Sequence, residues 1–116
     1  MYCMDPKYEA LFTPWKIGNV EIKNRIVMCS MGGTSLFGWM EPSHFDKEAA
    51  YFLLEKARNG VGLVLPGMQW VRDVMGNRWL YKNKSIYKPL KEYMKEFHKT
   101  GSKLFIQLVK CLLYNN

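Results

Sequence analysis

The chain has 116 residues, 48% of them hydrophobic and 23% charged, which suits one small globular domain and excludes wholesale disorder. The formal charge of +7 comes from 17 Lys and Arg against 10 Asp and Glu. It is not blocky: Lys82, Lys84, Lys88, Lys91 and Lys95 are interrupted by Glu92 and Glu96, the pattern of a solvated helix face rather than a basic tail. Cys3, Cys29 and Cys111 lack metal-ligand spacing, and the polar start from Met1 to Ala10 does not read as a secretory signal. Both point to a reduced, cytoplasmic chain, and no apolar run reaches the ~20 residues of a membrane span.

In chain order, Trp15-Lys16-Ile17 and Val20-Glu21-Ile22 flank Gly18-Asn19, which predicts a hairpin. Arg25 to Cys29 reads as a short buried strand, followed by a loop from Ser30 through Pro42. Ser43, with Asp46 three residues on, predicts a helix start. His44 then falls in the first turn, and Phe45, Ala49, Phe52, Leu53 and Ala57 form the apolar stripe. Asn59-Gly60 stops that helix, Val61 to Leu65 is a second buried strand, and Pro66-Gly67 opens another loop. Met68 to Ser85 reads as long and irregular. Pro89 suits the first turn of a second helix with Leu90, Tyr93, Met94 and Phe97 inward. Thr100-Gly101 ends it, and Lys103 to Val109 reads as a third strand.

Strand, helix, strand, helix, strand with tight helix-to-strand turns implies a parallel α/β sheet. The long loops all follow strand C-termini, the edge where parallel α/β proteins keep their sites. This puts Ser30 to Gly33, Pro66 to Met68 and the residues around Gln107 on one rim.

Residue by residue the motifs are modest. Ser30-Met31-Gly32-Gly33-Thr34 is rich in glycine but lacks the G-x-G-x-x-G spacing and the helix a phosphate turn needs; it reads as a phosphate cradle or a plain turn. Gln107 lies in an apolar run, where an unpaired amide would cost about 1–3 kcal/mol. It is either a core residue bonded to backbone or a partner for an amide-like ring such as a flavin pyrimidine. His44 and His98 stand alone, without the carboxylates or thiols of a metal site. Cys29 reads as a small apolar core residue. No nucleophile–base set or carboxylate pair is present, so no catalytic and no metal-binding residue is assigned.

Together several stretches resemble the old yellow enzyme family, the NADH:flavin oxidoreductases. Leu11 to Gly18 (LFTPWKIG) resembles its "LFxPxxIG" opening, and Ile22 to Met28 (IKNRIVM) resembles "LKNRIVM" before its first barrel strand. Gly60 to Leu65 resembles the second strand, and His98 to Leu108 (HKTGSKLFIQL) the approach to the third. The Cys-Ser-Met-Gly-Gly loop is similar to the 2,4-dienoyl-CoA and 2-enoate reductase branch.

The resemblance implies a TIM barrel holding FMN at its strand C-termini. Residues 1–116 would be its N-terminal portion: a hairpin, three strands and two helices, with no second domain. It implies that Ser30, Met31 and Gly32 lie along the flavin, that Gly67 and Met68 approach its ring, and that Gln107 bonds the pyrimidine. In full-length relatives it implies NAD(P)H as reductant and hydride delivery to an activated C=C bond of a small-molecule substrate. After Leu108 the resemblance stops. The substrate-anion pocket, the proton-donating tyrosine, the flavin-phosphate residues, and the iron–sulfur cluster and FAD of longer relatives are then expected to be missing. On that expectation the chain is the N-terminal fragment of such an oxidoreductase, inactive on its own; one alternative is a truncated product with no activity, or one that works only with a complementary piece. The remaining alternative is a small basic nucleic-acid-binding module, using its aromatics and lysines.

Overall fold

In the computed structural model, residues 5–75 and 77–110 are described. Cys3, Cys111 and the divergent sequence beyond Lys110 lie outside them.

A 3-10 turn over Pro6–Phe12 leads into the predicted hairpin, β1 (Trp15–Ile17) antiparallel to β2 (Val20–Ile22). Ile17 pairs with Val20, leaving a two-residue turn, and Gly18 takes φ +58 at its first position, a backbone angle that favours glycine. Below the hairpin, β3 (Val27–Met28), β4 (Leu63–Val64) and β6 (Lys103–Leu104) form a parallel sheet in the order β3-β4-β6. Helices α1 (Lys47–Arg58) and α2 (Tyr87–Lys99) connect them, in the predicted order.

The start of α1 differs from expectation. Its cap is Asp46, whose carboxylate accepts the Ala49 N–H at 3.0 Å. Ser43 is instead buried and bonded to the Asn83 amide, at 2.6 Å through its carbonyl and 2.9 Å through its hydroxyl. His44 and Phe45 therefore precede the helix. The buried stripe is Ala49, Ala50, Leu53, Leu54 and Ala57, while Phe52 is exposed beneath the Lys56 ammonium at 4.7 Å. Asp46→Ala removes an N-cap, so it should lower unfolding free energy by ~1 kcal/mol, read as a shift in urea midpoint at constant slope. Helix α2 behaves as expected: Tyr93 and Phe97 are buried, Leu90 and Met94 pack beside them, and Gly101 turns the chain at φ +79. Desolvation pushes the Tyr93 hydroxyl above the ordinary tyrosine range.

The core lies between the helices and the sheet and gathers Leu36, Phe37, Leu53, Leu54, Val64, Leu80, Ile86 and Phe97. At the sheet's lower edge Asn24 is buried. Its amide donates to the Gly60 carbonyl at 2.7 Å and accepts the Ile26 N–H at 3.0 Å, and its own carbonyl accepts the Trp15 indole N–H at 2.6 Å. Lys23 reaches the Thr100 carbonyl at 2.8 Å, at the end of α2. The Lys-Asn-Arg segment thus staples hairpin, sheet and both helix ends together on the face away from the loops.

The upper edge is less regular than predicted. The stretch Lys103 to Val109 is not one strand: after β6 it resumes as β7 (Leu108–Val109), paired in parallel with β5 (Gln69–Trp70) inside the segment read as irregular. Val64 pairs with Leu104 but Gln69 with Leu108, so the segment through Pro66-Gly67 carries one residue more than its neighbour. Pro66 has no N–H for the ladder, and the extra residue is accommodated as a bulge-like break, a feature common beside sites. Among the described residues no helix is long and apolar enough to cross a membrane.

Candidate functional site

That break opens a cleft of about 210 Å³ lined by Ser30, Met31, Gly32, Ser35, Trp39, Gly67, Met68 and Gln107. All six residues singled out in the sequence, Ser30, Met31, Gly32, Gly67, Met68 and Gln107, line it. Three chain segments supply them: the loop after β3, the break after β4 and the break after β6. The C-terminal ends of three parallel neighbours thus converge on one rim.

The cleft is held open by small hydroxyls. Ser30 Oγ donates to the Pro66 carbonyl at 2.8 Å, the Gly67 N–H donates to Thr34 Oγ1 at 2.8 Å, and Ser35 Oγ donates to the Met68 carbonyl at 2.9 Å. Thr34 Oγ1 also donates to the Met31 carbonyl at 2.8 Å, which folds the loop on itself. Thr34 and Ser35 are buried, so these bonds lie in a low-dielectric setting where breaking one is costly. Sequence reasoning missed Thr34, Ser35 and Trp39 as site residues. The clustering of Ser30, Thr34 and Ser35 around two glycines was the available signal, since short hydroxyl side chains bond neighbouring backbone.

Gln107 corrects the expectation of a buried amide. Its backbone carbonyl accepts the Gln69 N–H at 2.8 Å, but the side chain is exposed and lines the cleft. Among the described residues no hydrogen bond occupies its amide, so the reading as a core Gln bonded to backbone does not hold. The buried glutamine is Gln69, whose Oε1 accepts the Phe37 N–H at 3.2 Å and fixes the far end of the first loop. Cys29 likewise departs from its reading: it is exposed, because the strand ends at Met28 and the chain has already turned toward the rim.

The lining holds no charged side chain. Two thioethers and an indole give apolar walls, and Gly32 leaves backbone accessible: a Cβ there would meet nothing within 4 Å. Among the described residues, the lining side chain whose amide has no hydrogen-bond partner is Gln107, donor and acceptor together. Such a surface suits a planar, neutral heterocycle with an amide-like edge. Among the lining residues none is a His, Cys, Lys or carboxylate that could serve as a general base. The residues present therefore fit a flavin ring. The volume falls below the ~300–1,000 Å³ typical of small-molecule sites.

Comparison with known proteins bears on the fold and the family. Cinnamate reductase of Clostridium sporogenes is 31% identical over 112 residues, which is 90% of this chain and 16% of that protein, so the chain spans about a sixth of this relative's length. Among solved structures, 2-naphthoyl-CoA reductase matches with a TM-score of 0.68 at 23% identity, covering 87% of this chain and 16% of the other. The old yellow enzyme of Trypanosoma cruzi matches with a TM-score of 0.63 at 18% identity, covering 90% and 28%. At these identities the structural likeness is one of fold. The sequence pattern of the NADH:flavin oxidoreductase / NADH oxidase family matches residues 10–112, and the chain belongs to that family.

Proposed function

We propose that these residues form the N-terminal portion of a flavin-binding TIM barrel and supply one side of its FMN site. The observation that carries this reading is the cleft itself: six residues from three strand ends meet there, the exposed Gln107 among them. In this reading Ser30, Met31 and Gly32 lie along the ring, Gly67 and Met68 bring backbone close to it, and Gln107 bonds its pyrimidine edge. When bound, FMN supplies hydride transfer between NAD(P)H and an activated C=C bond. Similarity to a cinnamate reductase favours the 2-enoate reductase branch.

The chain's own residues bind and orient. Ser30, Thr34 and Ser35 fix the distance between the first two loops, so the cradle is formed before the ligand arrives, which lowers the ordering cost of binding. Met31 and Met68 exclude water from the ring's apolar part. Moving a proton to the substrate needs an acid, and no Tyr, His, Lys or carboxyl group is among the residues lining the cleft. Strands β3 and β6 each have one edge unpaired among the described residues, where further barrel strands would pair.

The test is a visible titration of FMN with the purified chain. The flavin band should shift on binding, and Gln107→Ala should weaken binding roughly tenfold, the worth of about one well-placed hydrogen bond. An unshifted band, or equal affinity in the variant, would overturn the assignment.

A further inference from the structure

Trp39 lines the cleft beside the six residues marked by the sequence, yet it sits on a loop that the strand ends do not dictate. Trp39 is 37% exposed, so its indole is not taken up by the core. The backbone carrying it is fixed on both sides. Before it, Ser35 is tied to the Met68 carbonyl and the Phe37 N–H to Gln69 Oε1, at 2.9 and 3.2 Å. Gly38 adopts φ +86, and a Cβ there would come within 2.8 Å of Glu41 Oε1 and 3.0 Å of His44 Cε1. After it, Glu41 Oε2 accepts the Met40 N–H at 3.0 Å. Backbone N–H groups, first its own and then those of Trp39 and Met40, hold the Glu41 carboxyl below the usual carboxylate range. The loop is thus closed by an ionised anchor.

On its inner side the indole tilts against Trp70, with ring centroids 5.7 Å apart and planes at 46°. Trp70 belongs to β5, the strand paired with β7 just beyond Gln107. One strand pair therefore backs the aromatic wall and positions the amide. Packing on Trp70 alone would not require the indole to border the cleft.

We infer that Trp39 is a flavin-contact residue, its indole forming the apolar wall against which the ring of FMN rests. This rests on the flavin reading above and adds a residue to it. Contact of an indole with a flavin ring should quench indole emission, and loss of an aromatic contact should weaken binding by roughly tenfold.

The test is titration of the whole chain with FMN, followed by flavin absorbance and by tryptophan emission, in wild type, Trp39→Ala, Trp39→Phe, Gln107→Ala and Trp79→Phe. Trp79 lies outside the cleft and serves as control. Trp39→Ala should bind roughly tenfold more weakly, Trp39→Phe close to wild type. Both should show less flavin-induced quenching than Trp79→Phe and saturated Gln107→Ala. If Trp39→Ala fails to fold by circular dichroism, the quenching in Trp39→Phe decides. Wild-type affinity in Trp39→Ala, or full quenching in Trp39→Phe, would show that the indole only packs on Trp70, while the flavin reading stands. Absence of FMN binding by wild type would remove both.

Discussion

A Gly67→Ala chain is expected to bind FMN at least tenfold more weakly than wild type while keeping its helical signal. A Cβ at this position would lie 2.7 Å from the Met31 carbonyl, 2.8 Å from Ser35 Oγ and 3.0 Å from the Ser35 N. Two of those atoms are backbone and cannot rotate aside. Overpacking of this kind costs about 1–3 kcal/mol, and the cheapest relief is to push the first loop off the second. That movement strains the three bonds joining the loops, Ser30 to Pro66, Gly67 to Thr34 and Ser35 to Met68. Every residue of the cleft's first wall rides on that loop, so the cradle changes shape while the sheet below it does not. FMN titration with circular dichroism checks this; wild-type affinity would show that the loop contact does not shape the site.

The contrast between rim and base also explains what the sequence could disclose. Both helices and the three parallel strands were legible because local signals agreed with the fold: Pro89 and Gly101 bound α2, and Leu90, Tyr93, Met94 and Phe97 repeat at helical spacing. The start of α1 was misplaced by three residues because Ser43 and Asp46 are both competent caps. Only the tertiary bond from Asn83 to Ser43 decides between them. The six cleft residues were legible from topology plus resemblance, since strand order alone places the ends of β3, β4 and β6 together. Trp39 was not, because its position depends on a left-handed glycine and an anchoring carboxylate inside a long loop. The state of Gln107 was misread for a related reason: an apolar run implied a buried strand, but the extra residue through Pro66-Gly67 breaks the ladder there and leaves the amide exposed.

The largest stability effect should come from the opposite end of the same strand. In Gly62→Ala the new Cβ would fall 2.3 Å from Asn24 Oδ1 and 2.9 Å from the Asn24 carbonyl. Asn24 cannot simply rotate away, because its side chain holds the Gly60 carbonyl and the Ile26 N–H, and its carbonyl holds the Trp15 indole. Gly62 is itself in the ladder, donating to Ile26 and accepting from Lys103. Steric cost and stranded polar groups together should remove ~2–5 kcal/mol, a large part of the ~5–15 kcal/mol typical of a domain. The urea midpoint should fall steeply, yet the fraction that remains folded should bind FMN as wild type does, since the cleft lies at the other edge. Adding Asn24→Ala removes the colliding amide, so the double variant should be more stable than the sum of the single losses. Strict additivity would mean that the two residues do not share the contact, and weakened FMN binding by the folded fraction would mean that base and rim are coupled.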